Sequence, residues 1–145
     1  MTIQLILGHD EHVARWVQKQ FPQIVSFGQC VAIGVARQDR LIAGVVYYNY
    51  HPHMIDASFA ATDPRWCSRR ILRAMFAYPF EQIKVRRLQV AVAKRDRRGR
   101  RMLKRVGFKP EGRRSAANPD GSDVIEYAML RENCKWLKEQ NHEPG

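Results

Sequence analysis

Between Leu88 and Phe108 the chain reads LQVAVAKRDRRGRRMLKRVGF, and two hydrophobic periods follow one another inside it. Leu88, Val90 and Val92 alternate with a period of two, which predicts a strand with one buried side. Met102, Leu103 and Val106 then recur at helical spacing, while Arg97, Arg98, Arg100, Arg101, Lys104 and Arg105 fall on the outward side. Asp96 reads as the N-cap of that short helix and Gly107 as its stop. A strand that hands over to a capped, amphipathic helix needs a sheet for the helix to pack on. This argues against a disordered basic tail, although eight of the twelve residues from Lys94 are Lys or Arg.

The flanking segments complete that sheet. TIQLIL predicts a first strand, Asp10 an N-cap for the helix EHVARWVQKQF, and Pro22 the end of that helix. CVAIGVA and LIAGVVYYNY are β-rich and separated by RQDR, a hairpin turn; after the loop HPH, MIDASFAA continues the meander. SRRILRAMFAY places Ile71, Leu72, Met75 and Phe76 on one helical face, and Pro79 closes it. NPDG marks a turn before the strand DVIEYAML, and ENCKWLKEQ predicts a last short helix. The order is β α β β β α β α β β α. It predicts an α/β (α+β) domain over residues 1–140, with a mixed, mostly antiparallel twisted sheet of six to seven strands flanked by helices and a polar tail at 141–145.

At 145 residues and 45% hydrophobic content the chain is long enough for one real core. No apolar run reaches a membrane span and the N-terminus lacks signal-peptide features, so a cytoplasmic chain with no membrane partner is expected. Cys30, Cys67 and Cys134 are widely spaced, which indicates neither a disulfide framework nor a metal site. Of the 25 basic and 14 acidic residues, 18 and 3 lie between Arg65 and Arg114, leaving 7 and 11 elsewhere. A field this positive attracts phosphate-bearing ligands, whether a nucleotide cofactor or a nucleic acid.

DRRGRRMLKRVGFKPEG resembles the Asn-x-x-Ser, helix, Leu-Gly-Phe-x-x-Glu-Gly block of the GNAT superfamily of acyl-CoA-dependent N-acetyltransferases, particularly the branch that acetylates ribosomal proteins and protein N-termini. Asp96 stands at the Asn position and Gly99 at the Ser position, while Gly107, Phe108, Glu111 and Gly112 match. DPRW and DVIEYAMLRENCKW are similar to that branch as well, so the likeness covers most of residues 40 to 137.

The resemblance implies acetyl-CoA as co-substrate, no metal, and an amine-bearing acceptor. It implies cofactor contacts along Phe59, Ala60 and Ala61, pyrophosphate binding around Arg65, Ser68, Arg69 and Arg70, and a pantetheine arm beside Asp96 and Gly99. In RWCSRR, Ser68 and Arg70 replace the two small residues of the family's pyrophosphate loop, so side-chain guanidinium contacts from Arg69 and Arg70 are the expected substitute. Asp56 stands where the family often keeps a general base. The family's frequent acid, a Tyr four residues before Gly-Phe, is replaced by Leu103; Tyr127, in the last strand, is a candidate acid on condition that it points into the cleft. Tyr48, Tyr50, His51 and His53 are expected at the acceptor site, and a homodimer is compatible with the pattern.

Each of these residues also has a plainer reading. Asp56 is a solvated strand residue, His51 and His53 are loop histidines, and Tyr127 is core. Two functions follow. One is transfer of acetyl from acetyl-CoA to a primary amine by direct attack on the thioester. The other is a GNAT-shaped module, weak or inactive in catalysis, that binds nucleic acid or another polyanion through its basic half; a hybrid with a nucleic-acid-linked acceptor joins the two.

Overall fold

The computed structural model describes residues 2–21, 24 and 26–137. Its elements are β1 (Ile3–Ile6), α1 (Asp10–Lys19), β2 (Cys30–Arg37), β3 (Arg40–His51), β4 (Met54–Ala61), α2 (Arg69–Ala77), β5 (Arg87–Ala93), α3 (Arg97–Val106), β6 (Lys109–Arg114) and β7 (Val124–Leu130). The seven strands form one sheet in the order β1-β2-β3-β4-β5-β7-β6. Every neighbouring pair is antiparallel except β4 and β5. The mixed, mostly antiparallel sheet flanked by helices is therefore the one the sequence predicts.

Local chemistry explains most boundaries. Gln38 and Asp39 both take positive φ, 55° and 63°, and join β2 to β3 in the two-residue turn that suits a right-twisted hairpin. Asp96 accepts a hydrogen bond from the Gly99 amide at 2.9 Å and caps α3. Gly107, at φ 124°, ends α3 with its amide bonded to the Leu103 and Lys104 carbonyls. Asp10 behaves differently from its expected N-cap role. It is the first residue of α1, and its Oδ1 accepts from the Ala32 amide at 2.9 Å, tying the helix to β2.

Pro79 does not simply stop α2. The helix widens into a π-helical turn, Tyr78–Gln82. A proline has no N–H to give the carbonyl four residues earlier, that of Met75. The buried Tyr47 hydroxyl of β3 donates to that carbonyl instead, fastening α2 to the sheet. The predicted final helix is also corrected. Arg131–Asn133 and Lys135–Leu137 form two 3₁₀ turns separated by Cys134, while 138–140, like Pro22 and the tail 141–145, lie outside the described residues.

Helices cover both faces. On one side α2 and α3 bury Ile71, Leu72, Met75, Phe76, Leu103 and Val106 against the large core. On the other side Val13, Ala14 and Val17 of α1 pack on Ala32, Val46 and Ala60. Glycines make that second contact close: Gly34 and Gly44 oppose each other across β2 and β3, and Val13 lies over both. A Cβ on Gly44 would stand 2.9 Å from Val17 Cγ2 and 3.0 Å from Val13 Cγ1.

Candidate active site

The parallel ladder between β4 and β5 has only three rungs: Met54 with Arg87, Ile55 with Leu88, and Asp56 with Gln89. Beyond the last rung the strands part, and the space between them opens as a cavity of about 340 Å³ lined by Ser58, Phe59 and the stretch 90–93. A second cavity, of about 300 Å³, continues toward Ala60, Ala61 and Trp66. The two share Gln20, Phe21, Phe59, Asp96, Gly99 and Met102, so they form one cleft walled by the ends of α1 and α3.

Asp56 stands at the point of divergence. Its Oδ1 accepts from Gln89 Nε2 at 2.5 Å and its Oδ2 from Asn49 Nδ2 at 2.9 Å. Neither amide is placed by chance. A bulge interrupts the β3–β4 register between Tyr48 and His51, and Asn49 sits there at φ 57°, a conformation its side chain tolerates better than most. Gln89 is oriented by Arg87, whose Nε donates to Gln89 Oε1 at 2.8 Å and whose guanidinium pairs with Glu111 at 2.7 Å. An ionised carboxylate offers about four lone-pair sites, so two amides leave room for a proton or a water. One strand step on, Ser58 lines the cleft and lies 3.3 Å from the Tyr48 hydroxyl. Burial pushes that phenol up, the Ser58 contact opposes the shift, and the Asp56 charge adds to it.

On the far side of Asn49 lies a groove of about 950 Å³ whose walls include Phe27, Tyr47, Tyr48, Tyr50 and Tyr78. Tyr50 is 57% exposed. Among the described residues, no lysine or arginine lines this groove. Asp10 and Glu11 stand in the adjoining hollow, which shares Phe27, Gln29 and Cys30 with it. Their field reaches its walls: Cys30 is raised by burial and then by both carboxylates, and Tyr78 by burial and then by Asp10.

The structure brings together Asp56, Tyr48, Phe59, Ala60, Ala61, Asp96 and Gly99 around the cleft, with Tyr50 in the groove. Asp96 and Gly99 are first of all a cap: a Cβ at 99 would lie 2.5 Å from the Asp96 carboxylate. Seven other expected site residues take positions or contacts of their own. Tyr127 is 2% exposed inside the large core, on the sheet side covered by α2 and α3, and lines neither cavity of the cleft. His51 and His53 stand at the exposed β3–β4 hairpin and line neither cleft nor groove. The Arg70 guanidinium donates to the Ile3 carbonyl at 3.0 Å. Arg69 lies over the Trp136 ring at 5.7 Å, and Arg65 pairs with Asp63 at 3.3 Å. Ser68 caps α2, accepting from the Ile71 amide at 3.3 Å. Asn49 and Gln89 escape sequence reading; their only signals are an Asn inside YYNYH and a Gln inside LQVAVA.

Among the described residues, no group of three or more His, Cys, Asp or Glu is placed to hold a metal ion, and no helix is long and apolar enough to cross a membrane. No protein-family model and no curated protein matches the chain. Solved structures do. A spermidine N-acetyltransferase SpeG mutant from Vibrio cholerae is 14% identical, with a TM-score of 0.73 over 95% of this chain and 98% of that one. The ribosomal-protein-S5-alanine acetyltransferase from Vibrio fischeri is 15% identical, with a TM-score of 0.67 over 93% and 96%. An acetyltransferase of the GNAT family from Bacillus anthracis is 20% identical, with a TM-score of 0.57 over 70% and 66%. At these identities the likeness is one of fold: the chain has the GNAT fold.

Proposed function

We propose that this chain is an N-acetyltransferase that moves an acetyl group from acetyl-CoA to a primary amine, with Asp56 as general base. The observation that carries the reading is the position of Asp56. It occupies the last rung of the parallel ladder, held by two amides, one strand step from the residue that opens the cleft.

The cleft suits a long, narrow arm ending in phosphates. Phe59, Val90, Val92 and Met102 supply apolar walls. The first-turn N–H groups of a helix lack intrahelical partners and favour an anion. Those of α2 follow Ser68, and Arg98 lines the outer cavity. Because the Ser68 hydroxyl takes the Ile71 amide and Arg70 holds β1, phosphate recognition here rests on backbone N–H groups and on Arg65 and Arg98 more than on Arg70.

Bound acetyl-CoA supplies the activated acyl group. The chain's own residues do the rest. An amine in water is mostly an ammonium and needs to lose a proton before it has a lone pair to attack with. Asp56 takes that proton, directly or across one water. Asn49 and Gln89 keep the carboxylate aimed, and the aromatic groove, lined by no Lys or Arg among the described residues, admits a cation from solvent.

Calorimetry with acetyl-CoA, followed by a thiol-release assay over a panel of primary amines, tests this. Micromolar binding and amine-dependent release of CoA are expected. No binding at millimolar acetyl-CoA overturns the reading.

A further inference from the structure

Helix α3 is built against its own electrostatics. Six of its ten residues are cations: Arg97, Arg98, Arg100, Arg101, Lys104 and Arg105. Three of them crowd the first turn, where the helix dipole is positive and where no acidic residue stands. Spacings of three and four set like charges side by side, as in Arg97 with Arg101 and Arg101 with Arg105, and such neighbours repel.

The neighbouring chain handles its arginines otherwise. Arg87 pairs with Glu111, Arg95 with Asp120, Arg113 with Asp123 and Arg114 with Glu126. Among the described residues, no carboxylate pairs with any of the six α3 cations. Arg98 alone of the six lines the cleft, so acetyl-CoA does not account for the others. The basic ridge also runs past the end of the helix. Trp136 Nε1 donates to the Val106 carbonyl at 2.8 Å, and Lys135 and Arg69 lie 5.0 and 5.7 Å from the indole ring centre.

We propose that the outward face of α3, continued across Trp136 to Lys135, binds nucleic acid through its phosphodiester backbone. Guanidinium groups recognise phosphate oxygens bidentately, and a row of them matches a chain of phosphates better than a single anion. Ten helical residues span about 15 Å, several times the reach of one phosphate group. A lipid surface fits less well: Leu103 and Val106 are buried, Met102 turns into the cleft, and Trp136 is half-buried with its indole N–H held by the Val106 carbonyl. This surface stands apart from acetyl transfer and does not depend on it.

Fluorescence anisotropy with a labelled 20-nucleotide oligouridylate and a 20-base-pair DNA duplex tests the proposal. Binding to either is expected, weakening between 50 and 200 mM salt by about 100-fold for the single strand and about 500-fold for the duplex if about five phosphates are neutralised. The triple variant R101E/K104E/R105E should bind at least about 30-fold more weakly, with a shallower salt slope. R101Q/K104Q/R105Q should fall between it and the parent, and acetyl-CoA calorimetry reports whether each variant keeps the cleft. No binding at 50 mM salt, binding insensitive to salt, or binding unchanged in both variants overturns the proposal. So does equal affinity for phosphatidylserine vesicles.

Discussion

On one side of the β4–β5 seam the cleft runs to Trp66 and the N-terminal turn of α3, within the stretch 65–114 that holds 18 of the 25 basic residues and 3 of the 14 acidic ones. On the other side no basic residue among the described ones lines the aromatic groove; Asp10 and Glu11, with Arg15, line the hollow adjoining it, and Asp56 bonds Asn49 in its wall. One sheet thus presents opposite fields about the point where its strands part. A net charge of +11 hides this division, because a sum over the chain says nothing about which ligand meets which side. An anionic donor and a cationic acceptor would each approach a complementary face, and Asp56 lies at the boundary between them.

Removing the boundary charge is the most direct way to break that contrast. In Asp56→Asn the introduced amide still has partners. Gln89 cannot turn over, because Arg87 holds its Oε1, but Asn49 can, and the hydrogen bonds survive with roles exchanged. The fold and the donor side should therefore persist. A general base is worth roughly 10²- to 10⁴-fold, so kcat should drop by about 100-fold or more, with the acetyl-CoA dissociation constant within about twofold. Steady-state kinetics paired with calorimetry reads both. An equal loss in both quantities would place Asp56 in donor binding instead.

A smaller effect is expected from the α1 side. Gly44→Val would push side-chain atoms into Val13 and Val17, whose methyls already approach the site of its Cβ to 3.0 and 2.9 Å. Overpacking of this kind costs about 1–3 kcal/mol, measurable by urea denaturation. Because Gln20 and Phe21, just after α1, wall the cleft, acetyl-CoA binding should weaken in the same variant. Gly112→Val, where a new Cβ meets nothing within 4 Å, should change neither.

The features that sequence made readable are those decided locally. Asp96 and Gly107 form a cap and a stop within twelve residues, and RQDR between two β-rich runs marks the Gln38–Asp39 turn. Ser68 was equally local, yet its hydroxyl caps α2 where a phosphate loop was expected. Long-range geometry stayed out of reach. Gln89 meets Asp56 across 33 residues through strand register, and Asn49 reaches it only because of a bulge. Asp10 was drawn off its cap by an amide 22 residues away. For Tyr127 the alternation is plain in the sequence, but which side of that strand meets the core depends on where α2 and α3 pack.

The smallest expected effect tests how firmly the basic side is tied to the catalytic rung. Glu111 is one of the three acidic residues in the basic stretch, and its pair with Arg87 is partly exposed, with side chains 28% and 47% accessible for Arg87 and Glu111. The hydrogen bond from Arg87, aided by its charge, holds the Glu111 carboxyl below its ordinary value of 4.5. A carboxyl depressed on folding stabilises above the unfolded value and loses that contribution as pH falls through the folded one. An exposed pair is worth a few tenths of a kcal/mol, so Glu111→Gln should lower Tm slightly at pH 7, and the two melting curves should converge in acid. Since Arg87 also orients Gln89, kcat should fall by less than about threefold. A Tm difference that persists below the folded value would mean that packing of the Glu111 stem, and not its charge, steadies Arg87.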